Sequence, residues 1–131
     1  MKESWNIKKK KKGKEQECFI DFVEKALGIL AKEKYRDFLA VFDSSRILTE
    51  QDLISALRYL DDTRPVLKID DPALVKSQNQ EIELFAFNDG SGYAMDYDLT
   101  TDGEINDLTL QVEFLKKGDG YMVSLDDLHT L

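Results

Sequence analysis

Residues 81–100, EIELFAFNDGSGYAMDYDLT, alternate apolar and polar side chains on both sides of a break that contains two glycines. A period of two places successive side chains on opposite faces of a β-strand. The break at residues 88–92 is rich in Gly and Asp, which favour tight turns between antiparallel strands. We therefore predict a hairpin with one buried face. The residues on that face are Ile82, Leu84, Ala86, Tyr93, Met95, Tyr97 and Leu99.

The same alternation continues to the end of the chain. Two further runs, at residues 108–114 and 121–126, follow short turns at residues 102–104 and 116–120. Runs of this length with Gly and Asp between them are typical of an antiparallel meander. The second half of the chain therefore predicts a four-stranded antiparallel sheet.

The region before the sheet has helical spacing instead. Apolar residues recur at three- and four-residue steps from Gln16 onward, which predicts a first helix of about sixteen to twenty residues. Residues 35–42 predict a short second helix. Thr49, with Asp52 three residues on, resembles a capping box and starts a third helix over residues 50–60. Its predicted buried stripe consists of Leu53, Ile54, Leu57 and Leu60.

Together these elements predict an α+β fold in which three N-terminal helices pack on the four-stranded meander. A chain of 131 residues with 42% hydrophobic content fits one domain. We place that single α+β domain at residues 15–131. Residues 1–14 contain seven lysines and one glutamate, and we predict a flexible lysine-rich arm there. Residues 64–80 carry the weakest pattern in the domain.

Charge argues against a nucleic-acid ligand. The chain carries −8 overall, and because the arm contributes +6, the remaining 117 residues carry −14. Such a body repels phosphates and attracts basic protein surfaces. No apolar segment follows the basic start, and no run is long enough to span a bilayer. We therefore expect a cytoplasmic protein that contacts neither nucleic acid nor membrane.

No catalytic, metal-binding or cofactor-binding set is recognisable. Residues 98–106 imitate the start of a calcium-binding loop, but position twelve is Thr109 rather than a carboxylate, so a hairpin turn is favoured. The single histidine, His129, has no nucleophile pattern to join. The single cysteine, Cys18, is most simply a small residue of the first helix. We therefore expect a protein that is not an enzyme.

The predicted wet face of the sheet is the candidate binding surface. It carries carboxylates together with two phenylalanines, a combination that suits a protein interface with a basic partner. The candidate partner-binding residues are Glu83, Phe85, Phe87, Asp96, Asp98, Glu113 and Asp126. An acidic face that does no more than keep the chain dissolved is the alternative interpretation.

Residues 35–43 (YRDFLAVFD), residues 48–54 (LTEQDLI) and the terminal meander resemble the nuclear-transport-factor-like α+β cone superfamily over residues 16–131. This resemblance implies a cone-like arrangement of helices and sheet. Small acidic proteins of this kind also resemble the immunity proteins of bacterial polymorphic and contact-dependent toxin systems. That resemblance implies a protein that binds and neutralises a cognate toxin C-terminal domain, often a basic nuclease.

Two other functions stay open at this point. A cone can hold a small ligand or a substrate in its cavity, and the candidate lining residues are Tyr93, Tyr97, Tyr121 and either Asp96 or His129. Alternatively, the lysine-rich arm makes the chain a regulatory or scaffold protein that contacts RNA or a membrane through its basic tail. The oligomeric state is not determined by the sequence.

Overall fold

The computed structural model describes residues 2–6, 14–75, 77 and 80–130 of the chain, and within these the side chains of residues 15–129. The α+β class is confirmed. The helices are α1 (Lys14–Ala31), α2 (Tyr35–Ala40) and α3 (Glu50–Ala56). The strands are β1 (Lys2–Asn6), β2 (Ser44–Ser45), β3 (Ile82–Phe87), β4 (Gly92–Thr101), β5 (Glu104–Lys117) and β6 (Gly120–Thr130).

The sheet is larger than the predicted four-stranded meander and is mixed rather than purely antiparallel. Its strand order is β1-β3-β4-β5-β6-β2, and β2 runs parallel to β6. β2 has only two residues, too few for alternation to reveal it. The predicted arm at residues 1–14 includes β1, which pairs antiparallel with β3. Residues 7–13, with most of the lysine block, lie outside the described residues.

Helix α1 packs on one face of the sheet, which we call the inner face. The ring of Phe19 stacks on Phe114 of β5 at 4.1 Å between centroids and meets Tyr121 of β6 edge-on at 4.9 Å. The side chains of Val23 and Leu27 are almost fully buried against the same core. Apolar burial of this kind is the main stabilising contribution to the fold. None of the helices in the described segments is long and apolar enough to cross a membrane.

Helix α3 ends four residues before its predicted end. Thr49 caps its start as predicted, because its Oγ1 accepts a hydrogen bond from the Asp52 amide at 3.1 Å. Tyr59 and Leu60, however, adopt left-handed φ values of 56° and 59°. The Leu60 amide donates to the carbonyl of Ser55 at 2.9 Å, which closes the helix end. The prediction that Leu60 is buried is therefore wrong: 81% of it is exposed.

The weakly patterned connection before β3 is held to the sheet by one carboxylate. Asp70 accepts hydrogen bonds from the Thr100 hydroxyl at 2.8 Å and from the amides of Asp102 and Gly103 at 3.1 and 2.8 Å. Its own amide donates to the carbonyl of Thr100 at 3.0 Å. These bonds satisfy the donors of the β4–β5 turn, so the connection is an ordered part of the fold.

Candidate protein-binding face

The strand register brings the acidic side chains of three strands into one row on the face of the sheet opposite α1, which we call the outer face. Glu83 of β3 lies opposite Asp96 of β4, and Asp96 lies opposite Gln111 of β5. Gln111 in turn pairs with Asp127 of β6. Neighbours in such a row have Cβ atoms about 5 Å apart, so their charges act together. This acidic row has only one neutral member among its four side chains.

The next rows toward the β3–β4 turn are more apolar. Phe85 pairs with Ala94, and Ala94 pairs with Glu113. Leu115, which lies opposite Gly92 on one side and Met122 on the other, follows one row further. Phe87 at the end of β3 adds an aromatic side chain at this end. The apolar end of the outer face therefore consists of Phe85, Phe87, Ala94, Leu115 and Met122.

The predicted partner-binding residues share this face, with one exception. The outward positions are occupied by Glu83, Phe85, Phe87, Asp96, Asp98 and Glu113, all of them half-buried. Asp126 lies instead at a register shift in β6, where the pairing steps from Gln111 to Val112. Its Oδ1 atom is 2.9 Å from Nε of Arg46, so Asp126 already forms an ion pair with an arginine of the same chain. The sequence pattern missed this because a bulge interrupts the alternation.

Three of the outer-face carboxylates have distinct surroundings. Asp96 accepts a hydrogen bond from the Gln111 amide group at 3.0 Å, and Asp98 accepts one from the Glu81 backbone amide at 3.0 Å. Within the described part of the chain, Glu113 forms no ion pair. A carboxylate that forms no ion pair within the chain keeps its negative charge available to a basic partner.

Of the residues proposed to line a cone cavity, Tyr93 and Tyr121 lie together, with 6.4 Å between their ring centroids. Tyr93, Tyr97 and Tyr121 belong to the inner face, whereas Asp96 points to the outer face. Tyr97 is 1% exposed and donates a hydrogen bond from its hydroxyl to Glu24 at 2.7 Å. Burial first, and the Glu24 carboxylate second, raise the pKa of Tyr97 above its ordinary value of 10.0. The space beside Tyr97 is too small to admit a water molecule.

The other chemistry-bearing residues stand apart from one another. Among the described residues, no group of three or more His, Cys, Asp or Glu side chains is arranged to hold a metal ion. Asp102 and Gly103, with φ values of 53° and 81°, form the tight turn predicted for the calcium-loop-like segment. Cys18 is exposed on α1. The Nδ1 atom of His129 is 3.2 Å from Asp127 in a groove beside α3.

Sequence reasoning missed part of the apolar end of the outer face. Leu115 and Met122 lie on either side of the β5–β6 turn and are half-buried. Met122 alternates with Tyr121 and Val123, so the sequence pattern already placed it on the solvent-facing side of its strand. That position could have identified it as part of the surface. Only the paired register shows that it lies beside Leu115 and so extends the surface formed by Phe85 and Phe87.

Comparison with known proteins places this domain in a family. Residues 28–131 match the family described as a domain of unknown function, DUF7668. The chain belongs to that family. The DUF7668 segment includes α2, α3 and strands β2 to β6, and therefore the whole predicted binding set. No curated protein and no solved structure matches the chain.

Proposed function

We propose that this chain is a non-catalytic immunity protein that binds a basic toxin domain with the outer face of its sheet. The observation that carries the proposal is the division of that face into an acidic row and an apolar end. No helix of the described segments packs on it, since the aromatic contacts of α1 go to Phe114, Tyr93 and Tyr121 of the inner face.

Charge complementarity supports the choice of a basic partner. Outside its first 14 residues the chain carries −14, and the acidic row concentrates part of that charge on one surface. A field of one sign steers an oppositely charged protein and accelerates encounter, more strongly at low salt. A toxin domain that acts on nucleic acid carries the basic surface that such a field attracts.

The apolar end supports a lasting complex rather than a transient encounter. Half-buried aromatic side chains at the centre of an interface commonly carry most of the binding energy. Phe85 is a half-buried aromatic side chain of this kind, with Glu83 before it and Phe87 after it on the same face of β3. Carboxylates around an aromatic anchor match the anatomy of specific interfaces, which have apolar centres and polar rims.

The finer features of the proposal follow from the immunity resemblance. We place the protein in the cytoplasm of the toxin-producing bacterium, where it blocks the toxin's active site or substrate groove without turning over any substrate. We also propose that helices and sheet form a cone like that of the nuclear-transport-factor-like superfamily. The register shifts in β4–β5 and β5–β6 support a bent sheet, because bulges bend strands.

The test is calorimetry against the C-terminal domain of the toxin-like protein encoded next to this chain. We expect nanomolar or tighter binding at low salt, weaker binding at high salt, and loss of toxin activity at one equivalent. The Asp96→Asn/Glu113→Gln variant should bind at least about tenfold more weakly, because two charge pairs of roughly 1 kcal/mol each are lost. The control is Asp62→Asn, which removes an exposed charge outside the outer face. Absence of binding at any salt would overturn the proposal.

A further inference from the structure

A groove of about 300 Å³ lies between α3 and the end of β6. Its apolar lining includes Ala56 of α3, Leu108 of β5 and Leu128 of β6, and Ile47 adds a further apolar side chain. Ala56, Leu108 and Leu128 belong to the core, so their positions are fixed by packing. A rigid apolar lining of this size suits one aliphatic segment rather than a large ligand.

Two carboxylates line the same groove. Asp52 comes from the first turn of α3 and forms no ion pair with any residue that the structure describes. Asp127 comes from β6, where one of its oxygens accepts a hydrogen bond from the Leu128 amide at 2.8 Å. The other oxygen faces His129 Nδ1 at 3.2 Å. Apolar walls with two carboxylates match a ligand that has an aliphatic stem and a cationic head.

Leu60 lines the edge of the groove and has a strained backbone conformation. It is 81% exposed and has a φ of 59°. This left-handed backbone conformation is unfavourable for leucine. Glycine at this place would remove the strain without giving up a buried contact. The left-handed conformation belongs to the cap that closes α3, while the exposed side chain of Leu60 adds apolar surface to the groove.

The groove is continuous with the acidic row of the outer face. Asp127 lines the groove and also pairs with Gln111, the neighbour of Asp96 in the row. A protein seated on the outer face therefore reaches the groove at the edge of the sheet. Arginine suits it better than lysine, because its guanidinium is less strongly hydrated and binds carboxylates with two parallel hydrogen bonds.

We propose that this groove takes one arginine side chain of the basic partner, with its stem on Leu108 and Leu128 and its head toward Asp52 and Asp127. The inference rests on the proposed function, since it names a contact made by the same partner. Its test uses a free probe and no partner protein, so the two proposals fail separately.

The experiment is an NMR titration of the full chain with n-butylguanidinium, and with n-butylurea as the neutral probe of the same shape. We expect the guanidinium to shift the amide signals of Leu60, Leu108 and Leu128, with at least about fivefold tighter binding than the urea, the worth of one partly exposed charge pair. Asp52→Asn should reduce that preference, because only Asp127 then remains, whereas Asp62→Asn should keep it. Equal binding of the two probes, or shifts confined to the outer face, would overturn the inference.

A second variant separates binding from folding. Leu60→Gly should weaken guanidinium binding about threefold while the midpoint of thermal unfolding stays the same or rises, because strain is relieved. Leu74→Gly is the matched control, since Leu74 is 83% exposed and lies outside the groove. Unchanged binding by Leu60→Gly, or a lower midpoint, would show that Leu60 serves the fold instead.

Discussion

At Gly92 the backbones of β4 and β5 approach so closely that a side chain has no room. A Cβ atom there would lie 2.1 Å from the carbonyl oxygen of Phe114, and the φ of 153° is one that other residues rarely adopt. We expect Gly92→Ala to lower the free energy of unfolding by roughly 3 kcal/mol, from strain and forced displacement of β5. Urea denaturation followed by circular dichroism measures it.

Gly120 provides the matched control for this substitution. A methyl group on its Cα would have open space around it to a distance of 4 Å, and its φ is not left-handed. Gly120→Ala should therefore leave stability unchanged or raise it by about 0.5 kcal/mol, through a less flexible unfolded chain. Equal losses in the two variants would contradict the close approach at Gly92.

Individual residues were predictable where alternation alone decides their side of the sheet. Glu83, Phe85 and Asp96 lie outward as the period of two predicts. Leu60 was not predictable, because helical periodicity continues through it while the chain has already left the helix. Asp126 was not predictable either, because the shift in register belongs to the pairing of two strands.

Among the elements, α1 and the sheet are joined by a hydrogen bond that should respond to alkaline pH. Tyr97 of β4 donates to Glu24 of α1, and its pKa is raised by burial and by that carboxylate. An unfolded tyrosine ionises near pH 10, whereas Tyr97 in the folded protein stays neutral above it. The stability from this group is therefore complete below pH 10 and is lost as the pH rises further.

We expect Tyr97→Phe to cost about 1 kcal/mol at neutral pH, the worth of one hydrogen bond. Above pH 10 the variant should lose stability less steeply than the wild type, by up to about 1.4 kcal/mol per pH unit for the missing proton. Denaturation curves between pH 8 and 11 measure both effects. Tyr35→Phe is the comparison. Burial first, and Glu33 and Glu50 second, also raise the pKa of Tyr35. Tyr35 is only half-buried, however, so its loss should flatten the slope less than the loss of Tyr97. A slope equal to that of the wild type would contradict this account of Tyr97.

Elements with a clear local pattern were predictable, including the short helix α2, whereas strands β1 and β2 were not. Helix α1 and strands β3 to β6 repeat their spacing of apolar residues over enough positions for the type of element to be recognised from the sequence. Strand β2 exists because Ser44 and Ser45 lie against β6, and the connection before β3 is ordered because Asp70 bonds the β4–β5 turn. These are contacts between distant parts of the chain, which local patterns do not contain.

On the scale of the whole molecule, the acidic body and the divided outer face both support the proposed basic partner. Charge and apolar anchors contribute differently, because surface charge mainly sets the association rate while aromatic anchors set the dissociation rate. The charge of the body was fully predictable from composition. The arrangement of Leu115 and Met122 beside the phenylalanines required the register of the strands.

The most direct measurement is the dissociation constant of the Phe85→Ala variant for the toxin domain, beside that of Leu74→Ala. Phe85 lies on the outer face, whereas Leu74 is exposed elsewhere, and both variants remove an apolar side chain. We predict at least about thirtyfold weaker binding for Phe85→Ala, the loss of a hot spot of roughly 2 kcal/mol. Leu74→Ala should bind like the wild type. Wild-type affinity in a folded Phe85→Ala variant would contradict the claim that the outer face is the binding surface.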